Sequence, residues 1–149
     1  MPRPAPDEGG LEYLRRIFVE GGRAAPIGEL VGMSFVSADH GHVVFGLTPE
    51  ERHYNPIGTV HGGIAATLLD SAMGCAVHST LPPGVAYTTA EIKVSYVRAM
   101  TATTGPVVAE GRVIHAGSRM ATAEGSVRDA AGALYAHGTT TCLVFPMRT

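Results

Sequence analysis

The chain has 149 residues, 45% of them apolar, enough for one domain that buries its own core. A formal net charge of −2, a pI near 6.4, a single lysine (Lys93) and scattered arginines exclude the clustered basic face that nucleic-acid binding needs. The apolar runs fall far short of the ~18 residues of a membrane span, and no apolar segment follows the start to make a signal peptide; with Cys75 and Cys142 read as buried reduced thiols, the expectation is a cytoplasmic protein without membrane contact.

Residues 1–10, rich in proline, glycine and acid, read as a frayed lead-in. Leu11, Leu14, Ile17 and Phe18 recur at helical spacing, and Gly21-Gly22 is expected to end that helix. Residues 26–30 can make a further turn. Residues 33–48 carry two short strands, with Asp39-His40-Gly41-His42 as the turn between them. The two turn histidines have no Cys, Asp or Glu partners at metal spacing, and they read as solvated. Residues 50–59, with Asn55-Pro56 and Gly58, form a loop of the kind that carries site residues.

Residues 60–79 form the one long helix, apolar almost all round and therefore expected to be buried. Pro82-Pro83-Gly84 closes it. Residues 87–96 alternate, with Thr89, Glu91, Lys93 and Ser95 on one face and Ala90, Ile92, Val94 and Tyr96 on the other. Strands at 107–115 and 120–128 flank a hairpin turn at Ala116-Gly117-Ser118. A second turn, Asp129-Ala130-Ala131-Gly132, leads into a strand over 134–145. Runs of strands around a single apolar helix indicate an α+β fold with an antiparallel sheet curled about that helix.

Chemistry concentrates on the long helix. Asp is a poor helix-interior residue, and Asp70 has Ala66, Thr67, Met73 and Gly74 at three and four positions, so its own helix offers no cation. Three readings stand: a partly solvated stripe, a structural hydrogen bond to a loop, or a general base or nucleophile in a dry pocket, where desolvation strengthens a carboxylate as a base. His61-Gly62-Gly63 opens the same helix. Its first-turn N–H groups lack intrahelical acceptors and carry the positive dipole end, suiting an oxyanion-type site; the plain alternative is close packing of the turn. Gly62 and Asp70 are eight residues apart, about 12 Å along the axis at 1.5 Å per residue. One carbonyl cannot touch both. If both act, two antiparallel helices in a two-fold dimer must bring Gly62 of one chain to Asp70 of the other.

The combination Asn55-Pro56-x-Gly58-x-x-His61-Gly62-Gly63, then Asp70 after six residues, then Thr89-x-Glu91-x-Lys93-Val94-x-Tyr96 and the hairpin around Gly117, resembles the hotdog-fold thioesterases of the phenylacetate-degradation (PaaI-like) type over residues 25–145. The resemblance implies a hotdog domain over 25–149 after an appended 1–24, and an enzyme that hydrolyses a small aromatic or short- to medium-chain acyl-coenzyme A. It matches Asp70 to the carboxylate that activates water or attacks the thioester, and Gly62 to the N–H that polarises the carbonyl. Asn55 matches a positioning loop residue, and Thr89 a hydroxyl that orients the water. His61 is read as holding the loop in preference to moving protons. Gly63, Gly117, Ser118 and Arg119 are the candidates for substrate and coenzyme A contacts, with Arg98 and Arg112 as weaker phosphate partners. No metal or cofactor is implied, and the assembly expected is a homodimer, extended to a dimer of dimers. Ile64, Leu68, Met73, Tyr87 and Tyr54 are the expected acyl-pocket lining.

Rival chemistries are less well served. A non-catalytic acyl-CoA-binding module gains nothing from a negative charge at Asp70. A hydratase of this fold would show His and Asp five residues apart, which His61 and Asp70 are not. A serine-hydrolase elbow and the glycine fingerprints of nucleotide binding are missing.

Overall fold

A computed structural model describes residues 3–20 and 25–147. The lead-in helix α1 (Gly10–Arg15) continues as a π-helical turn, Arg16–Glu20, and buries Leu14 and Ile17. The glycine stop expected at Gly21-Gly22 lies outside the described residues. Helix α2 (Pro26–Val31) ends on Gly32, whose φ of 75° is the left-handed conformation that glycine adopts without a Cβ penalty. Six strands follow: β1 (Met33–Asp39), β2 (His42–Leu47), β3 (Val85–Tyr96), β4 (Val107–Ala116), β5 (Met120–Asp129) and β6 (Leu134–Pro146). The long helix α3 (Gly62–His78) joins β2 to β3.

All five pairings are antiparallel, in the order β1-β2-β4-β5-β6-β3. The connection from β2 to β3 must therefore cross the sheet, and α3 makes that crossing. Its Leu68, Leu69, Ala72, Met73, Ala76 and Val77 are completely buried against the sheet. This is the hotdog architecture expected from the sequence.

The helix can lie so close because of three glycines in one row. Gly111, Gly125 and Gly138 are direct cross-strand partners on β4, β5 and β6. A Cβ on Gly111 would stand 2.4 Å from the backbone of Ala72, and one on Gly125 3.0 Å from Met73. The row is a trough in the sheet, and α3 occupies it.

Several expectations need correction. Helix α3 starts at Gly62 because the Val60 N–H is bonded to Met100 O and His61 serves as its N-cap. It is not buried all round: the sheet covers one side, while Gly63, Thr67 and Ser71 are half-buried and Asp70 is exposed on the other. Cys75 is half-buried as well, and Cys142 alone is fully buried. The uniform alternation of residues 87–96 is broken by a bulge between Thr89 and Glu91, where Ala90 has no partner on β6. His42 is not a free turn residue: its Nε2 lies 2.7 Å from Glu110 Oε1. The loop of residues 50–59 contains a 3₁₀ turn, Glu51–His53.

Candidate active site

The bulge at Ala90 decides which side chains of β3 face the helix. Before it, Tyr87 packs on Gly74 and Thr89 reaches Asp70; after it, the parity switches and Tyr96 faces Gly62. A strict period of two would have placed Thr89 and Tyr96 on opposite faces. The extra residue puts both beside α3, one at each end of its open face.

At one end, Thr89 Oγ1 donates a 2.9 Å hydrogen bond to Asp70 Oδ1. That bond occupies one carboxylate oxygen. Asp70 is exposed in the single chain, so the dry pocket expected around it is not built by one chain alone. Desolvation pushes the nearby Cys75 thiol up to about 12, with the charge on Asp70 adding to the effect, so Cys75 stays a neutral wall.

At the other end, the first turn of α3 has three amides to satisfy. Gly63 N–H donates to His61 Nδ1 at 2.9 Å, and Ile64 N–H to His61 O. The Gly62 N–H has no acceptor among the described residues, and it points out of the positive end of the helix. His61 is therefore a cap whose side chain selects which amide stays open. Gly63, expected among the substrate contacts, has its amide already engaged. Below Gly62 lies the Tyr96 ring; a Cβ on Gly62 would meet its Cζ at 3.0 Å.

Asn55 holds the loop that precedes the helix. Its Oδ1 accepts from the N–H groups of Ile57 and Thr59, and its Nδ2 donates to Thr59 Oγ1. Asn55 and Gly62 share a cleft of about 350 Å³ with Tyr96, Arg98, Met100 and Tyr135. The Arg98 guanidinium sits 5.7 Å from the centre of the Tyr135 ring, and the Tyr135 hydroxyl donates to Asp129 at 3.0 Å. This string of contacts places a cation at the edge of the Gly62 cleft. Arg112 is paired with Glu110 and is less free for a phosphate.

The structure thus groups Asn55 with Gly62 and Asp70 with Thr89. It does not bring the two groups together within one chain. The hairpin residues Ser118 and Arg119 are exposed, and the Arg119 carbonyl accepts from Val144 N–H, placing the hairpin near the Tyr87 end of β3. Of the expected acyl-pocket lining, Leu68 and Met73 are fully buried under the sheet, and the Tyr54 hydroxyl accepts from Ala102 N–H.

Two residues escaped the sequence reading. The alternation of residues 87–96 gives Tyr96 a face but no role, because its position under Gly62 depends on the bulge. His53 is buried, with Nδ1 accepting from Glu50 N–H and Nε2 donating to Val31 O, which ties the Asn55 loop to α2. A histidine in a polar stretch gives no local sign of such burial. Among the described residues no His, Cys, Asp or Glu cluster is arranged to hold a metal, and no helix is long and apolar enough to cross a membrane.

Residues 57–136 match the family model described as the thioesterase superfamily. A Halobacterium salinarum protein named for esterase activity is 39% identical over 102 residues, 65% of this chain and 66% of its own length, so the match spans just under two thirds of that relative. A conserved Pseudomonas aeruginosa protein is 32% identical and superposes with a TM-score of 0.77 over 85% of this chain and 99% of its own. A Streptococcus mutans protein solved with bound acetyl-CoA is 25% identical, with a TM-score of 0.70 over 78% of this chain and 91% of its own.

Proposed function

The chain belongs to the thioesterase superfamily, and we propose that it hydrolyses the acyl-coenzyme A thioester of a small aromatic or short- to medium-chain acid, as the PaaI-like enzymes of that superfamily do. The observation that carries the reading is the Asp70–Thr89 pair on the open face of α3, with an uncommitted amide at Gly62 on the same helix. The acetyl-CoA found on the Streptococcus mutans neighbour supports a coenzyme A thioester as the ligand.

The chemistry follows from these groups. The Gly62 N–H polarises the thioester carbonyl and stabilises the negative charge that develops on its oxygen. Asp70, oriented by Thr89, either removes a proton from an attacking water or attacks the carbonyl carbon itself, forming an anhydride that water then opens. In both routes the new C–O bond forms, the C–S bond breaks, and the coenzyme A thiolate leaves with the free acid as co-product. The thiolate is a good leaving group, so the reading requires neither a metal nor a cofactor.

The two elements meet across a homodimer. Strand β3 lies at an edge of the sheet and leaves a row of backbone groups open for pairing. Gly62 stands against Tyr96, and Asp70 against Thr89. Two copies of β3 paired antiparallel about a two-fold axis near Ile92 and Lys93 set Tyr96 of one chain opposite Thr89 of the other. That register carries Gly62 to the second chain's Asp70 and covers the exposed carboxylate, producing the dry environment a single chain lacks. The coenzyme A phosphates then lie within the range of Arg98 on one side and Arg119 on the other. A cytoplasmic location, a thioesterase unit over 25–149 with 1–24 appended, and a dimer of dimers complete the proposal.

Asp70→Asn tests it. The substitution keeps the shape and the acceptor for Thr89 while removing the base. Thiol release from a panel of acyl-CoAs is expected to fall by about 10²- to 10⁴-fold. Equal rates would show that Asp70 has another role. A wild-type protein that releases no thiol from any acyl-CoA, but binds one, would be a binding module.

A further inference from the structure

The middle of the β3 edge carries two charges that nothing within the chain answers. Glu91 and Lys93 are exposed on the outer face of the sheet, on either side of Ile92, which turns inward against the core. Their cross-strand partners on β6 are Thr141 and Thr139, both uncharged. The Glu91 carboxylate accepts a 3.3 Å hydrogen bond from Thr141 Oγ1. Neither residue enters an ion pair among the described residues. Lys93 is the only lysine in the sequence.

A lysine in the middle of an edge strand ordinarily keeps a second strand from pairing there. The acid two residues before it changes the outcome. Antiparallel strands place directly opposed residues on the same face, where opposite charges attract and like charges repel. Glu91-Ile92-Lys93 is therefore complementary to its own reverse. With Ile92 opposite Ile92, each Glu91 meets the Lys93 of the other copy, twice per pair of chains. Sliding by one residue sets inward side chains against outward ones. Sliding by two brings Lys93 to Lys93 in one direction and Glu91 to Glu91 in the other. Backbone overlap alone would favour the last of these: β3 spans Val85–Tyr96, so an axis at Glu91 pairs residues 86–96 and an axis at Ile92 only 88–96. Overlap and charge point to different registers, and two facing carboxylates oppose the longer one.

We propose that Glu91 and Lys93 form reciprocal ion pairs across the two-fold axis and fix the register in which two β3 edges meet, aligning the halves of the divided site. The proposal rests on the dimeric thioesterase reading above and names what sets its alignment. An axis at Ile92 lays Tyr96 of one chain alongside Thr89 of its partner, and with them Gly62 and Asp70. A two-residue slip moves one strand about 7 Å along the other, while a nucleophile must stand about 3–3.5 Å from the carbon it attacks. Glu91 and Lys93 touch no substrate; they are positioning residues that act through β3.

The test exchanges the charges. Glu91→Lys leaves only cations at the axis, and Lys93→Glu only carboxylates. Each variant alone is expected to dimerise at least about tenfold more weakly than wild type in 0.15 M salt, where charges beyond about 8 Å are screened and those in contact are not. The two are then mixed in equal amounts, one labelled with nitrogen-15, and the dimers are counted by native mass spectrometry. About nine in ten are expected to be mixed, against the half that chance gives, from the same tenfold penalty on each like-charged dimer. Thiol release from acyl-CoA is expected to recover with the mixed dimers. The double variant Glu91→Lys/Lys93→Glu restores both pairs in reversed order and should dimerise and hydrolyse like wild type. As a control, Glu124→Lys and Arg128→Glu on β5, away from the edge, should mix at chance.

Chance mixing of the two edge variants, wild-type dimer strength in either alone, a folded double variant that stays monomeric, or a β5 pair that mixes as selectively overturns the proposal. Charge-selected dimers in a protein that hydrolyses no acyl-CoA keep the register and remove the catalytic reading. Hydrolysis indifferent to both charges does the reverse.

Discussion

Mixing two inactive variants tests whether the site is divided between chains. His61 has φ −59° and ψ 132°, the backbone region preferred before a proline, and the first helical position loses no intrahelical bond when its N–H is removed. Gly62→Pro therefore deletes the open amide while leaving α3 its start. The added Cβ meets Tyr96 at 3.0 Å, and that ring, 58% exposed, has space to swing aside. Loss of one oxyanion donor costs about 10²- to 10³-fold, and Asp70→Asn about 10²- to 10⁴-fold, so each homodimer retains about 1% activity or less. Random exchange makes half of the dimers mixed. Each mixed dimer pairs Gly62 of the Asp70→Asn chain with Asp70 of the Gly62→Pro chain, giving one intact site and one doubly altered site. Recovery is expected to reach about a quarter of the wild-type rate on symmetry grounds alone. The assay is thiol release after denaturation together and refolding, with separately refolded variants as the baseline. A mixture that stays at that baseline, in a preparation shown to contain mixed dimers, would place the whole site within one chain and refute the argument from the 12 Å helix spacing of about eight residues.

Two further predictions concern stability. Gly111→Ala sets a Cβ 2.4 Å from the Ala72 backbone, which cannot move without lifting α3 from its trough. A loss of about 2–3 kcal/mol is expected, or roughly 5–10 °C in Tm at this chain length; an unchanged urea midpoint would show that the glycine row does not seat the helix. The second concerns pH. The Arg16 guanidinium, bonded to Glu8 at 2.6 and 2.7 Å, holds that carboxyl down at about 2 from an ordinary 4.5. A lowered carboxyl adds stability above about pH 4.5 and surrenders it as pH falls toward 2. Glu8→Gln should flatten the acid limb of urea midpoint against pH in that window, by a small amount because the pair is partly exposed to solvent. Parallel acid limbs for the two proteins would show that the pair does not couple to folding.

Much of this architecture could be read from local pattern. Strand and helix order, the hairpins at Gly117 and Gly132, and the α+β class follow from hydrophobic period and turn chemistry, which neighbouring residues settle among themselves. The spacing of Gly62 and Asp70 also carried its own inference, since helix rise is independent of context. Other features had no local sign. The bulge at Ala90, which turns Thr89 and Tyr96 toward the same helix, arises in the pairing of β3 with β6. The trough of Gly111, Gly125 and Gly138 exists only once three strands align in register. The apolar helix neighbours of Asp70 left a solvated stripe and a dry pocket both open, and it is the sheet, by covering only one side of α3, that leaves the carboxylate exposed on the other. The ring cluster of Phe18, Phe35 and Phe45 likewise draws on three elements. Sequence determines what each segment prefers, whereas only the packed chain decides which segments become neighbours, and both the exposure of the carboxylate and the shape of its surroundings are properties of those neighbours.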